Sequence, residues 1–326
     1  MGTLSLDEFK TAMVERAKFF RDEMIFADEF RMDPNDGAIL RAKKDLGVIV
    51  KYEMTKHGFA TLCQKLGIPT LYALRCPPDL RATNFNFWLE KKKGKELFCR
   101  FDSHPDGQEK IRAVLSTRYA DLPNTELAKM LIDKANPGYD FGVTYIMHEA
   151  ILLADLVASN KDFVSEDFSG AIHVRNSEVG LAKLSFQSML YNRVDQSGII
   201  LHDYVGFDEK HIGDKTEFAK AFGESIDKIM ANIAGAIRNL NDLKTVAIHD
   251  VPDIIDVICN VNRVKDSQKA ALDRAQGTFP VDNLFDVVCL FVRAATDGEL
   301  TMEDREELQT VGGDIVMKAK RYQRWV

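Results

Sequence analysis

Residues 96–127 read ELFCRFDSHPDGQEKIRAVLSTRYADLPNTEL, and the expected arrangement of the whole chain follows from this stretch. Two strand-like runs, Glu96–Asp102 and Lys110–Thr117, flank the tetrapeptide His104-Pro105-Asp106-Gly107. Proline fixes its own φ, aspartate tolerates a turn, and glycine accepts positive φ. The sequence therefore predicts a β-hairpin whose turn contains this tetrapeptide.

The second run has the alternation of a half-buried strand. One set of residues is apolar and the other contains an arginine: Ile111, Ala113 and Leu115 alternate with Arg112, Val114 and Ser116. Asn124 or Thr125 then caps a predicted helix over Thr125–Ala135. We therefore expect Arg100 and Arg112 on a two-stranded ribbon, with Arg118 and Tyr119 at its exit.

Composition bounds the class of protein. The chain has 326 residues, of which 45% are hydrophobic and 29% charged, which are values typical of a globular protein. The net charge of −7 argues against an overall basic nucleic-acid-binding protein but leaves room for a local basic groove. Five cysteines without C-x-x-C spacing indicate buried or half-buried thiols in a reducing compartment.

The N-terminus, MGTLSLDEFK, lacks the pattern of a signal peptide. No apolar run approaches the roughly 20 residues that a membrane span requires. We therefore expect a soluble, cytoplasmic protein without a membrane partner.

The remaining chain divides by its periodicity. Helices are predicted over Leu4–Met24, Thr55–Leu66 and Asp79–Leu89, and short strands over Phe26–Met32 and Gly47–Tyr52. In the β-rich middle, Phe141–Glu149 and Ala150–Val157 are either paired strands or one long bent strand, and further strands are predicted over Gly170–Arg175, Leu184–Arg193 and Gly198–Tyr204. Helical periodicity runs from Lys215 onward. This order predicts an α+β fold with an antiparallel β-sheet core and packed helices over residues 1–208. An all-helical C-terminal region over residues 209–326 follows it.

Positive charge gathers around the hairpin. Between Lys91 and Arg118 the sequence has eight basic and four acidic side chains. One interpretation is a solvated loop and a solvent-facing sheet surface. The other is a groove that follows a nucleic-acid backbone, because arginine binds phosphate in a bidentate manner and neutralised phosphates release counterions.

The nearest aromatic residues that could stack on unpaired bases are Tyr119, Trp88, Phe85 and Phe87. Phe85 and Trp88, three residues apart on one predicted helix, are more typical of a core. The candidate nucleic-acid-binding residues are Lys91, Lys92, Lys93, Lys95, Arg100, Arg112, Arg118, Tyr119, Arg175 and Arg193.

Motifs for other chemistry are missing from the sequence. It contains no G-x-x-x-x-G-K-[ST], G-x-G-x-x-G, H-E-x-x-H or G-x-S-x-G pattern. The seven histidines are scattered, and His148-Glu149 would point to opposite faces of a strand. We expect no catalytic residues, no metal and no cofactor, although distant residues could still assemble a site.

Several short motifs together carry a family resemblance. They are Gln64-x-x-Gly67-Ile68-Pro69-x-x-Tyr72, Asn84-Phe85-Asn86-Phe87-Trp88-Leu89, Arg112-Ala113-Val114-Leu115-Ser116-x-Arg118-Tyr119-x-x-Leu122-x-Asn124, Arg175-Asn176-Ser177-Glu178-Val179-Gly180, and Arg193 to Gly198. Over residues 56–204 the chain resembles the phage/plasmid-like family of uncharacterised proteins carried by phages, prophages and plasmids. It departs from the family's Ser-Asn-Gly-Leu pattern at Gln196-Ser197-Gly198-Ile199.

The resemblance implies a role among mobile-element proteins near recombination and anti-restriction functions, in a bacterial host. It implies no catalytic residues. Some family members have the α+β layout of phage single-strand annealing proteins. The first hypothesis is thus a non-enzymatic, oligomeric protein that binds or anneals single-stranded DNA in recombination or replication. The alternative is a phage protein-interaction or structural factor that uses the acidic helical region and binds no nucleic acid.

Overall fold

The computed structural model describes residues 3–43, 48–103, 109–117, 119, 122–135, 139–147, 151–192, 198–201, 207–209 and 215–322. The strands are β1 (Leu4–Ser5), β2 (Phe20–Phe26), β3 (Phe30–Met32), β4 (Ile39–Lys43), β5 (Val48–Met54), β6 (Glu96–Ser103), β7 (Glu109–Leu115), β8 (Phe141–Met147), β9 (Leu152–Ala158), β10 (Phe168–Asn176), β11 (Leu184–Asn192), β12 (Gly198–Ile200) and β13 (Phe207–Glu209). The helices are α1 (Leu6–Ala17), α2 (Lys56–Leu66), α3 (Thr70–Arg75), α4 (Pro78–Lys91), α5 (Asn124–Ala135), α6 (Lys215–Leu243), α7 (Val251–Asn262), α8 (Asp266–Gln276), α9 (Leu284–Ala294), α10 (Met302–Met317) and α11 (Ala319–Tyr322).

The predicted hairpin lies in the middle of a six-stranded sheet, here called the hairpin sheet. Its strand order is β2-β6-β7-β5-β4-β3. The β6 and β7 strands pair antiparallel, which confirms the hairpin strands, and β5 pairs parallel to β7. The turn at residues 104–108 lies outside the described residues.

Strand β7 is buried on both faces, so the prediction of a half-buried strand is wrong. Ile111 and Val114 belong to the core beneath α2 and α4, whereas Ala113 and Leu115 pack with Val179 on the opposite side. A central strand between two packed layers loses the apolar–polar contrast that an exposed face would give it.

Helix α2 approaches β7 closely because residue 58 is glycine. A Cβ at Gly58 would lie 2.1 Å from the carbonyl oxygen of Ile111. That distance is far below van der Waals contact, and the obstructing atom belongs to the backbone. The close packing of α2 on the sheet therefore depends on the absence of a side chain here.

We expect Gly58→Ala to lower the free energy of unfolding by about 1–3 kcal/mol, because α2 must shift away from the sheet. Urea denaturation followed by circular dichroism measures this loss. Gly235→Ala in α6 is the matched control, since its Cβ would meet only an arginine side chain at 3.9 Å. The control should be neutral or stabilising, because alanine favours the helix. Equal effects of the two substitutions would contradict the packing argument.

The second sheet has the order β1-β8-β9-β10-β11-β12, and β13 also pairs with β11. All its pairs are antiparallel. One face is apolar and packs with residues of α1, α5, α6 and α9 in a single core: Phe9, Leu127, Val143, Ala154, Ile172, Phe186, Ile229 and Phe291. The other face, here called the polar face, carries Thr144, Asp155, His173 and Gln187 in one row across β8 to β11.

The α+β class and the helical C-terminal region are as predicted. Helix α6 spans Lys215–Leu243 and so begins where the helical periodicity was predicted to begin. The C-terminal helices share one hydrophobic core with the second sheet, whereas the hairpin sheet has its own core. The domain division at residue 208 stays a prediction, and it does not coincide with the gap between these two cores.

The predicted helix Leu4–Met24 is correct only in its first part. Helix α1 ends at Ala17, and Phe20–Phe26 forms β2 instead of continuing the predicted helix to Met24. Strand β2 pairs with β6 along its whole length. Tertiary pairing with the hairpin therefore outweighs the local helical pattern at this point.

Candidate functional site

Arg100 and Arg112 are buried, so their expected position on an open, solvent-facing groove is wrong. Their exposed fractions are only 4% and 5%. The Nε and Nη2 atoms of Arg100 donate to the two carboxylate oxygens of Asp22 at 2.9 and 2.7 Å. Nη2 of Arg112 donates to Oε2 of Glu178 at 3.2 Å. Because these guanidinium groups are engaged with buried or half-buried carboxylates, they do not form a phosphate-binding surface.

Both arginines lie on the hairpin sheet and contact a turn between β10 and β11 of the second sheet. This turn, Asn176–Gly180, is here called the clamp turn. Arg100 also donates to the main-chain carbonyl of Glu178, and Oε1 of Glu178 accepts the backbone N–H of Asn124 at 2.8 Å. Glu178 thus ties β6, β7 and the start of α5 to the end of β10.

Further contacts hold the clamp turn. The Tyr119 hydroxyl donates to the Ser177 carbonyl at 2.7 Å, and Nε2 of His57 lies 2.8 Å from the Val179 carbonyl. The motif that carried part of the family resemblance is therefore a structural junction. Tyr119 belongs to this junction, and Arg118 and Arg193 lie outside the described residues.

The exposed aromatic side chains lie instead on α4. Phe87 and Trp88 are 54% and 42% exposed, and their ring centroids are 5.3 Å apart in an edge-to-face arrangement. Phe85 is fully buried and stacks on Phe59. The core interpretation is confirmed for Phe85 but wrong for Trp88, because the inward stripe of α4 runs through Ala82, Phe85 and Leu89.

The side-chain amide of Asn86 fixes α4 on its inner side. The side chain of Asn86 accepts the Met32 backbone N–H at 2.7 Å and donates to the Met32 carbonyl at 3.1 Å. Asn84 donates to the Tyr72 hydroxyl at 3.1 Å, which brings an exposed tyrosine of α3 beside α4. The outward residues of this motif therefore have a rigid base.

Lysines continue the aromatic surface past the end of α4. Lys91 lies over the Phe87 ring at 5.5 Å, and Lys93 and Lys95 are exposed while Lys92 is half-buried. Gly94, with φ of 73°, allows the sharp reversal into β6 that places these lysines together. Burial and then the nearby Lys92 lower the pKa of Lys65, so like charges are concentrated here. We call the set Lys65, Tyr72, Asn84, Phe87, Trp88, Lys91, Lys92, Lys93 and Lys95 the lysine–aromatic surface.

Arg175 belongs to a different site, on the polar face of the second sheet. Its Nη1 donates to Oε2 of Glu306 in α10 at 2.7 Å. The neighbouring His173 places Nδ1 2.6 Å from Oδ1 of Asp155, and its Nε2 lies 3.8 Å from Oε1 of Glu306. This cluster holds α10 against the polar face, and sequence reasoning missed it. The alternation of His173 and Arg175 with Ile172 and Val174 was its only signal.

His173 is positively charged at neutral pH in this setting. Burial lowers its pKa, but the carboxylates of Asp155 and Glu306 raise it more, to about 9. The ordinary value is 6.5. The protonated form is therefore the form that the folded protein stabilises.

We expect the contribution of His173 to stability to be complete below pH 6.5 and to disappear as the pH rises through about 9. The shift corresponds to about 3 kcal/mol. Urea denaturation at pH 6 and pH 10, for the wild-type protein and His173→Gln, measures it as the change in their stability difference. A difference that does not change with pH would show that the imidazolium is not stabilised.

No family model, curated protein or solved structure matches this chain. The resemblance to the phage/plasmid-like family therefore stays a prediction. Within the described part of the chain, no group of three or more His, Cys, Asp or Glu side chains is arranged to hold a metal ion. None of the described helices combines the length and the apolar character that crossing a bilayer requires.

Proposed function

We propose that the protein binds single-stranded DNA through the lysine–aromatic surface and acts, as an oligomer, in phage-type annealing during recombination or replication. The observation that supports this most is the exposed Phe87–Trp88 pair with Lys91 over one ring. Aromatic rings stack on unpaired bases of any sequence, and lysines nearby neutralise the phosphates between them.

The charge of the surface fits this ligand. Residues 87–95 contain four lysines and a single carboxylate, Glu90, in a protein of net charge −7. Glu90 lies 4.0 Å from Lys93, both side chains being exposed, so this pair offers little competition to a phosphate. A bound phosphate would also relieve the repulsion between Lys65 and Lys92.

The geometry favours a single strand over a duplex. Asn84, Trp88 and Lys92 follow one another at four-residue intervals, a stripe about 12 Å long on the helix. This length suits a few unpaired nucleotides. Bases paired in a duplex do not offer their faces to Phe87 and Trp88.

The fluorescence of Trp88 provides a direct test. The chain has two tryptophans, Trp88 and Trp325, so in a Trp325→Phe variant Trp88 is the only emitter. Titration with oligo(dT) should quench its emission, because a stacked base is in contact with the indole. Binding detected by anisotropy without quenching would place the DNA elsewhere on the protein.

Protein docking is a second candidate function, and it concerns a surface next to the lysine–aromatic surface. Leu71, Leu74 and Leu80, on α3 and at the start of α4, are exposed aliphatic side chains that offer nothing to DNA. Of the exposed large apolar side chains in the described residues, only Val261 lies in the C-terminal helices. An apolar interface is therefore better supported on α3 than on the acidic helical region. Loss of oligomers in Leu71→Ser/Leu74→Ser, measured by light scattering, would support it.

A further inference from the structure

A cleft lies between the polar face of the second sheet and the start of α10. It has a volume of about 690 Å³, within the range of small-molecule sites. Its walls are mostly apolar and include Ile146, Leu153, Met189, Tyr191, Leu300 and Met302. The cleft lies on the second sheet, not on the hairpin sheet that carries the lysine–aromatic surface.

Polar atoms converge at one side of this cleft. His173, Arg305 and Glu306 all line it. Among the described residues, Nε2 of His173, Nε of Arg305 and Oε1 of Glu306 are buried without a hydrogen-bond partner. His173 is only 4% exposed. Because a buried polar atom that makes no hydrogen bond is costly, these atoms point to a ligand that satisfies them.

The chemistry of these unsatisfied atoms identifies the ligand's polar end. Arg175 lies outside the cleft and pairs with Glu306 at 2.7 Å, and His173 pairs with Asp155 through Nδ1 at 2.6 Å. Nε of Arg305 makes no hydrogen bond, and Oε1 of Glu306, at 3.8 Å, is too far from Nε2 of His173 to accept one. Two donors on cationic side chains in an apolar cleft are suited to a single carboxylate.

We propose that this cleft binds a small carboxylic acid with an apolar body, whose carboxylate accepts hydrogen bonds from Arg305 and His173. The apolar body lies against Leu153, Met189 and Tyr191. Oε1 of Glu306 is left as an acceptor, so an acid with a hydroxyl next to its carboxylate binds more tightly than the unsubstituted acid.

Isothermal titration calorimetry of the full-length protein tests this with 3-phenylpropanoate, 3-phenyllactate and 3-phenylpropanamide. We expect both acids to bind, 3-phenyllactate more tightly, and the neutral amide to bind at least about tenfold more weakly, as the loss of a charge-assisted hydrogen bond predicts. Arg305→Gln should weaken both acids about tenfold and leave the amide unchanged.

A second variant keeps the test decisive if Arg305→Gln alters the fold. Ile146 is half exposed at the edge of the cleft, so Ile146→Trp narrows the cleft without disturbing the core. It should abolish binding of both acids while the melting temperature stays near that of the wild type. The proposal is overturned if neither acid binds at millimolar concentration, if the amide binds as tightly as the acids, or if both variants bind like the wild type. DNA binding is measured separately and is expected to be unaffected by either variant.

Discussion

Replacing Glu178 by alanine is expected to lower the free energy of unfolding by about 3–5 kcal/mol, because it removes a buried carboxylate that pairs with the buried guanidinium of Arg112. Glu178 is itself buried, and it accepts hydrogen bonds both from Arg112 and from the backbone of Asn124. Burial already lowers the pKa of Arg112, with Glu178 opposing that effect. Urea denaturation measures this loss as a lower midpoint concentration, with an unchanged slope of unfolding free energy against urea concentration.

Two controls separate the buried charge from the loss of a side chain. Glu15→Ala removes a carboxylate whose pair with Lys18 is largely exposed, and it should cost at most about 1 kcal/mol. The double variant Arg112→Met/Glu178→Leu removes both charges and should recover a substantial part of the stability lost in Glu178→Ala. If Glu178→Ala were no more destabilising than Glu15→Ala, the clamp turn would not be the junction described here.

The second prediction with a large expected effect concerns the affinity for single-stranded DNA. Changing Lys91, Lys92, Lys93 and Lys95 together to glutamine should weaken binding of single-stranded DNA about 100-fold at 0.15 M salt. It should also reduce the slope of log affinity against log salt, by about 0.7 for each phosphate contact that is lost. Trp88→Ala should weaken binding about 10- to 100-fold and leave that slope unchanged, because stacking is not a charge interaction.

Exposed residues outside the lysine–aromatic surface serve as matched controls. Lys18→Gln removes an exposed lysine at the end of α1, and Phe26→Ala removes an exposed aromatic ring from β2. Neither should change affinity or salt slope. If the controls weakened binding as much as the α4 variants, the DNA site would not be confined to α4.

Much of the fold could be predicted from patterns within short stretches of the sequence. The strands of the hairpin and helix α6 were predictable because their periodicity is written in consecutive residues. The strand conformation of Phe20–Phe26 could not be predicted in this way, because it depends on pairing with β6, which lies far along the chain. The conformation of this segment is therefore set by the strand with which it pairs and not by its own periodicity.

The candidate sites were less predictable for the same reason. Arg112 was read as an exposed base, but its carboxylate partner lies 66 positions away. Arg175 meets Glu306 across 131 positions, so the polar cluster under α10 had no sequence spacing to reveal it. For the lysines of 91–95, by contrast, one interpretation of the sequence was a solvated loop, and three of the four are exposed while Lys92 is half-buried. A short charged segment after a helix is a local feature, so its exposure could be predicted.

The most direct test of the DNA-binding proposal is fluorescence anisotropy of a labelled single-stranded oligonucleotide, titrated with the wild-type protein at low and at physiological salt and repeated with the duplex. We expect binding that weakens steeply with salt and that favours the single strand. Equal affinity for the duplex, or no binding even at low salt, would contradict it.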